Sequence, residues 1–191
     1  MVGPMLDSAL APALDSGACP HLAVLLRSDA EFAPVVASFY ALGAKRGGWL
    51  AHRAVEVNSD RKALTDAGLD VAGLESEEQL VIERIDLDEP PDRLPARLAA
   101  DFDHALDRGL TGLWSSHSPV GPDPDAYKHA LSIERAWEEQ FKDRPVITLC
   151  PYVVEGLDGP DTLDRFTGLS EVHHDGVLMS SGERIELFNR P

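Results

Sequence analysis

The sequence predicts an α/β fold with three layers, a mostly parallel central sheet flanked by helices. Three observations carry that prediction. Short apolar runs of strand length recur along the chain, as in His21–Leu26 (HLAVLL) and Pro145–Leu149 (PVITL). Segments with helical spacing of apolar residues alternate with them. Gly, Pro, Ser and Asp punctuate the joins. Strands alternating with helices build βαβ units, and these place parallel strands under helices on both faces.

Each element follows in order. Residues 1–19 are rich in Ala, Pro and Asp and read as a flexible leader with room for one helical turn. One domain is expected over residues 20–191. His21–Leu26 is unbroken apolar sequence, as suits a strand covered on both faces. Ser28-Asp29-Ala30-Glu31 has the form of a capping box. Phe32, Val35, Val36, Phe39 and Leu42 follow at helical spacing, and Gly47-Gly48 ends that helix. Trp49–Val57 is a second strand, Ser59–Ala67 a short helix and Leu80–Ile85 a third strand. A helix carrying Leu94, Leu98, Phe102 and Leu106 runs to Gly109, and Thr111–Ser115 is a fourth strand. Asp125–Phe141 is a helix with Ala130, Ile133, Trp137 and Phe141 on one face. Pro145–Leu149 is the fifth strand, and a helix spans 161–172. Val177–Ser180 and Glu183–Phe188 read as a C-terminal antiparallel hairpin about Ser181-Gly182.

Composition narrows the function classes. The 191 residues carry 33 acidic and 17 basic side chains, a net charge of −16. Gripping a nucleic-acid backbone needs clustered Lys and Arg, and an anionic membrane repels such a chain. No direct nucleic-acid or membrane partner is therefore expected. No apolar run approaches the roughly 18–20 residues that span a bilayer. The first residues lack the basic start of a signal peptide, so the expected location is cytoplasmic. Two cysteines without CxxC spacing argue against a disulfide scaffold and against a zinc ribbon.

Nucleotide chemistry fails at the first strand. Arg27-Ser28-Asp29-Ala30-Glu31 offers neither the glycines nor the lysine of a P-loop, and it sets two acids where phosphate would sit. No cofactor and no metal are expected. Ligands of open parallel sheets bind beyond the carboxyl ends of the strands. Cys150 and Tyr152, Arg27 and Ser28, and Ser116 and His117 fall there. Cys150 is open to three readings: an inert core thiol, a ligand contact or a nucleophile. His173 and His174 are adjacent and point about 100° apart on a helix, so one metal is not expected to take both. A helix C-terminus would favour their charged form. With parallel strands, His21 begins strand one and Cys150 ends strand five, so the two are expected at opposite ends of the sheet. Glu134 shares a helix face with Tyr127 and Leu131, either solvated or anchored against the sheet.

These residues carry a resemblance. His21 with its apolar strand, the helix bearing Glu134, Leu149-Cys150-Pro151-Tyr152 and His174-Asp175-Gly176-Val177-Leu178 resemble, in order and spacing, the MEDS sensory domain of methanogens and methylotrophs. The family typically has proline at the position of Asp175. The resemblance implies a RecA/KaiC-like fold without a P-loop. It implies sensing of small organic compounds, often one-carbon or hydrocarbon derivatives. It also implies contacts from His21, Glu134, Cys150, Tyr152 and His174. A free-standing domain of this kind would signal through a partner protein, and a homodimer stays open. Two alternatives stand beside it: a hydrolase or transferase using Cys150 with an imidazole, and a protein-interaction module on a degenerate nucleotide fold.

Overall fold

A computed structural model of the chain describes residues 3–15, 17–86, 89–121, 123–154, 167–173, 175–180 and 185–188. His174 and the expected turn at Ser181-Gly182 lie outside them. Among the described residues seven strands form: β1 (His21–Leu26), β2 (Trp49–Ala54), β3 (Leu80–Arg84), β4 (Leu113–His117), β5 (Val146–Val153), β6 (Val177–Ser180) and β7 (Ile185–Phe188). They form one sheet in the order β3-β2-β4-β5-β1-β6-β7. The first six are parallel, and β7 alone is antiparallel. β6 thus belongs to the parallel sheet beside β1 rather than standing apart from it in an appended antiparallel unit.

Helices α1 (Gly3–Asp15), α2 (Phe32–Lys45), α3 (Val57–Asp66) and α4 (Val71–Ser76) cover one face. Helices α5 (Arg93–Asp107) and α6 (Pro124–Phe141) cover the other, joined by a helix over 167–172. Strand alternation divides the side chains between the faces. Leu22, Val24, Leu50, Trp114 and Leu149 meet α2, whereas Ala23, Ala51, Leu113 and Cys150 lie on the α6 side.

Three expectations need correction. The leader is not a frayed turn: α1 is 13 residues long and buries Leu6 and Leu10, one helical turn apart, against the core. Its stripe is narrow and interrupted by Pro12, which hides the period. The capping box does not close. Ser28 makes no side-chain cap, a 3₁₀ turn (Asp29–Glu31) precedes α2, and the Glu31 carboxylate accepts from the Arg27 amide and guanidinium at 3.0, 2.8 and 2.6 Å. Finally, β5 runs through Pro151 to Val153, so Cys150 is mid-strand.

Gly43 and Gly48 let the chain close over Trp114. A Cβ at either would lie 2.6 or 2.3 Å from the indole. Gly47, at φ +74°, turns the chain between them.

Between α2 and β2, His52 is fully buried. Its Nε2 donates to Asp60 at 2.9 Å, and the Tyr40 hydroxyl lies 3.1 Å from Nδ1. Burial pushes the His52 pKa down, outweighing the pull of Asp60. The unfolded chain therefore binds this proton more readily than the native protein does. Stability is full above the ordinary histidine pKa of about 6.5 and falls as pH drops below it, by up to about 1.4 kcal/mol per pH unit. Urea midpoints at pH 7.5 and 5.5 should show this fall, and His52→Gln should shrink it. An undiminished fall in the variant would remove His52 as its source.

Candidate functional site

The α6-facing side of the sheet gathers the polar residues. Thr148, Cys150 and Tyr152 alternate along β5. Register pairs His21 with Thr148 and Ala23 with Cys150, which brings the His21 ring within reach of the thiol. Cys150 Sγ lies 3.4 Å from His21 Nε2. The expected separation of these two residues is thus overturned. Because β5 is longer than its apolar core suggests, His21 and Cys150 are neighbours.

Helix α6 supplies the carboxylate. Asp123 caps it, accepting from the Asp125 and Ala126 amides, and Pro124 suits the first turn. Tyr127, Leu131 and Glu134 then face the sheet, all buried. Glu134 Oε1 accepts from the Tyr152 hydroxyl at 2.5 Å and sits 3.6 Å from His117 Nε2. Its Oε2 lies 3.2 Å from His173 Nε2, yet among the described residues neither atom has a hydrogen-bond partner. The His173 ring is fixed from its other side, where Nδ1 donates to the Leu169 carbonyl at 2.9 Å. His21 Nδ1 faces Glu138 Oε2 at 3.2 Å, and the rings of His21 and His173 are 4.5 Å apart. Asp175, the departure from the family pattern, accepts from the His21 backbone amide at 2.8 Å and so ties the segment after His173 to the start of β1.

Burial sets the protonation of this cluster. It pushes the Cys150 thiol well up, and the Glu134 charge adds to the effect. Tyr152 rises for the same two reasons. Burial lowers His173 to about 4, more than the Glu134 charge restores, so the ring is neutral near pH 7. This reverses the sign expected from a helix C-terminus alone. Burial would raise Glu134, but the imidazoles of His173, His117 and His21 outweigh it and hold the carboxylate below its usual range.

Above the cluster lies a cavity of about 400 Å³ between the sheet and α6. It opens past the carboxyl ends of β2, β3 and β4, where Val55, Ile85 and Ser118–Gly121 form its rim. Ala130, Ile133 and Trp137 form an apolar wall, and His21, Cys150 and Glu134 belong to the floor. Arg53 also lines it. This guanidinium is buried, lies 4.2 Å above the Trp137 ring, and leaves Nη1 without a hydrogen-bond partner among the described residues. His129 Nε2, on the α6 side, is likewise buried and unpartnered.

Of the residues singled out in the sequence, His21, Glu134, Cys150, Tyr152 and His117 come together. Ser116 does not: one residue before His117, it points to the opposite face, beside Tyr40 of α2. Arg27 is turned to Glu31 on the exposed end of β1, with Ser28 beside it. Neither lines the cavity. His174 lies outside the described residues. Two residues were missed. Arg53 is a charge inside a wholly buried strand, WLAHRA, and that incongruity was readable. His173 was seen only as a helix-end residue.

A family model described as "MEthanogen/methylotroph, DcmR Sensory domain" matches residues 20–167. The chain belongs to the MEDS family. The match begins after α1, which lies before the matched residues, and ends before the segment carrying His173. No curated protein sequence matches this MEDS chain. Among the solved structures that share its fold are two from one archaeon. An uncharacterised Pyrococcus horikoshii protein, crystallised with an unknown peptide, superposes with a TM-score of 0.58 at 15% identity, covering 96% of this chain and 91% of that one. A KaiC-like protein of the same archaeon gives 0.55 at 13% identity, covering 87% and 73%. The MEDS domain here therefore has a RecA/KaiC-like α/β fold, and membership makes it a sensory domain. Among its described residues no helix is long and apolar enough to cross a membrane.

Proposed function

We propose that this MEDS domain senses a small organic molecule with an apolar body and one oxygen acceptor, bound in the cavity between the sheet and α6. Arg53 carries the reading. A buried guanidinium with an open donor is costly unless something accepts from it. The cavity has the volume of a small-molecule site and the usual make-up, apolar walls with few convergent polar groups. Short-chain carboxylates and carbonyl compounds fit this chemistry, with their carbon chains against Ile133 and Trp137 and their oxygens toward Arg53 and His129. One-carbon and halogenated compounds belong in the same test set. Binding would shift the domain between two conformations only by its differential affinity for them, and a partner protein would read that shift.

A cysteine-dependent hydrolase or transferase finds less support. Nucleophilic attack needs the thiolate, and burial holds Cys150 as the thiol.

A thermal-shift screen of these compounds tests the proposal. At saturating concentration, at roughly 100 times Kd, a binder adds about 2.7 kcal/mol to stability. For a chain of this size that raises Tm by roughly 5–11 °C. A screen in which no compound moves Tm would end the proposal.

A further inference from the structure

We propose that His21 Nε2, Cys150 Sγ, Glu134 Oε2 and His173 Nε2 together bind one divalent transition-metal ion of the zinc class at the floor of the cavity. The inference rests on these four donors and not on the molecule the cavity takes.

Their donor atoms converge, all lying within 4.8 Å of one another, and all four residues are buried. An ion bonded at roughly 2.0–2.3 Å in a tetrahedron sets its ligands roughly 3.3–3.8 Å apart. The 3.4 Å between Cys150 and His21 and the 3.2 Å between His173 and Glu134 are already near that spacing.

The hydrogen bonding around the cluster points the same way. The Leu169 carbonyl only accepts, so His173 Nδ1 must carry the proton there. That leaves an Nε2 lone pair facing a carboxylate oxygen. Both atoms are buried, and among the described residues neither is hydrogen-bonded. Two acceptors face each other with no donor between them, which is an arrangement a cation resolves. His21 repeats the pattern, with Nδ1 against the Glu138 carboxylate and Nε2 toward the centre. Tyr152 holds the other oxygen of Glu134. Histidine ligands pinned by a carboxylate or a backbone carbonyl, beside a hydrogen-bonded carboxylate, form the outer shell that metal sites require.

Charge also balances. On binding, the Cys150 thiol releases its proton to solvent and forms a sulfur–metal bond. One thiolate and one carboxylate then neutralise a divalent ion, and a neutral centre tolerates burial. Thiolate with imidazole selects zinc-like ions over magnesium or calcium. Four protein donors fill the tetrahedron, so the ion fixes the cavity floor instead of presenting a bound water.

Cobalt(II) titration of the chelator-treated protein, read by absorption, tests this. The expected result is uptake of one equivalent with the intense bands of tetrahedral cobalt and a thiolate-to-cobalt charge-transfer band, all displaced by zinc. Cys150→Ser should lose the charge-transfer band, and Cys19→Ser should keep it. Glu138→Gln, at a half-exposed position, should keep the spectrum and weaken affinity about 10-fold to 100-fold. Failure of the wild-type protein to take up one equivalent would overturn the site. So would weak octahedral cobalt indifferent to Cys150→Ser, which would mark ions on the acidic surface. Thermal-shift binding of organic compounds reads out separately, so the two proposals fail independently.

Discussion

Arg53→Met is expected to leave the protein as stable as wild type or more so, while binding of an oxygen-bearing ligand falls roughly 10-fold to 150-fold. The two halves of this result have one cause. A guanidinium inside β2, stacked on Trp137 with Nη1 unpartnered, is desolvated without full compensation. Burying a charge without a paired carboxylate is costly, so an apolar side chain of similar length in its place removes that cost. A hydrogen bond between this charge and a ligand oxygen contributes about 1.5–3 kcal/mol, which sets the loss in affinity. Urea midpoints and calorimetric titration on the same two proteins check both halves. A variant destabilised by several kcal/mol that binds as before would make Arg53 a packing residue.

Trp114→Ala is expected to do the reverse. The indole is 2% exposed, packs on Phe39 with ring centroids 5.1 Å apart, and fills the space left by Gly43 and Gly48. Emptying that space costs about 3–5 kcal/mol. For a chain of this size, Tm should fall roughly 6–20 °C. Trp114 lies on the α2 face of β4, away from the cavity, so ligand affinity measured well below the lowered Tm should change no more than a few-fold. Thermal unfolding and titration separate these effects. A small Tm change would mean that the α2 layer collapses to fill the gap.

Much of this architecture was legible in the chain. The five apolar runs through Pro145–Leu149 overlap the first five strands, although the second overruns β2 into the start of α3, and the periods of α2, α5 and α6 marked the helices that cover them. What escaped was short or irregular. α1 carries only a narrow Leu6–Leu10 stripe broken by Pro12, and α4 is a six-residue helix capped by Asp70. The site was less legible because it depends on pairing. Strand five, read from the sequence, ends at Leu149, whereas β5 pairs with β1 through Val153, and that register sets Cys150 beside His21. Parity decides the rest, because neighbouring residues of one strand, Ser116 and His117, face opposite sides of the sheet. His173 needed the third dimension altogether, since only the packing of its helix end brings its ring to Glu134.

Calorimetric titration of wild-type protein and Ala130→Trp with short-chain carboxylic acids and their carbonyl and halogenated relatives tests the central claim most directly. Ala130 lines the cavity on α6, and an indole there occupies the space a ligand needs. The account predicts that at least one compound binds the wild-type chain at one per molecule and fails to bind a folded Ala130→Trp. Binding of no compound, or equal binding to both proteins, would contradict it.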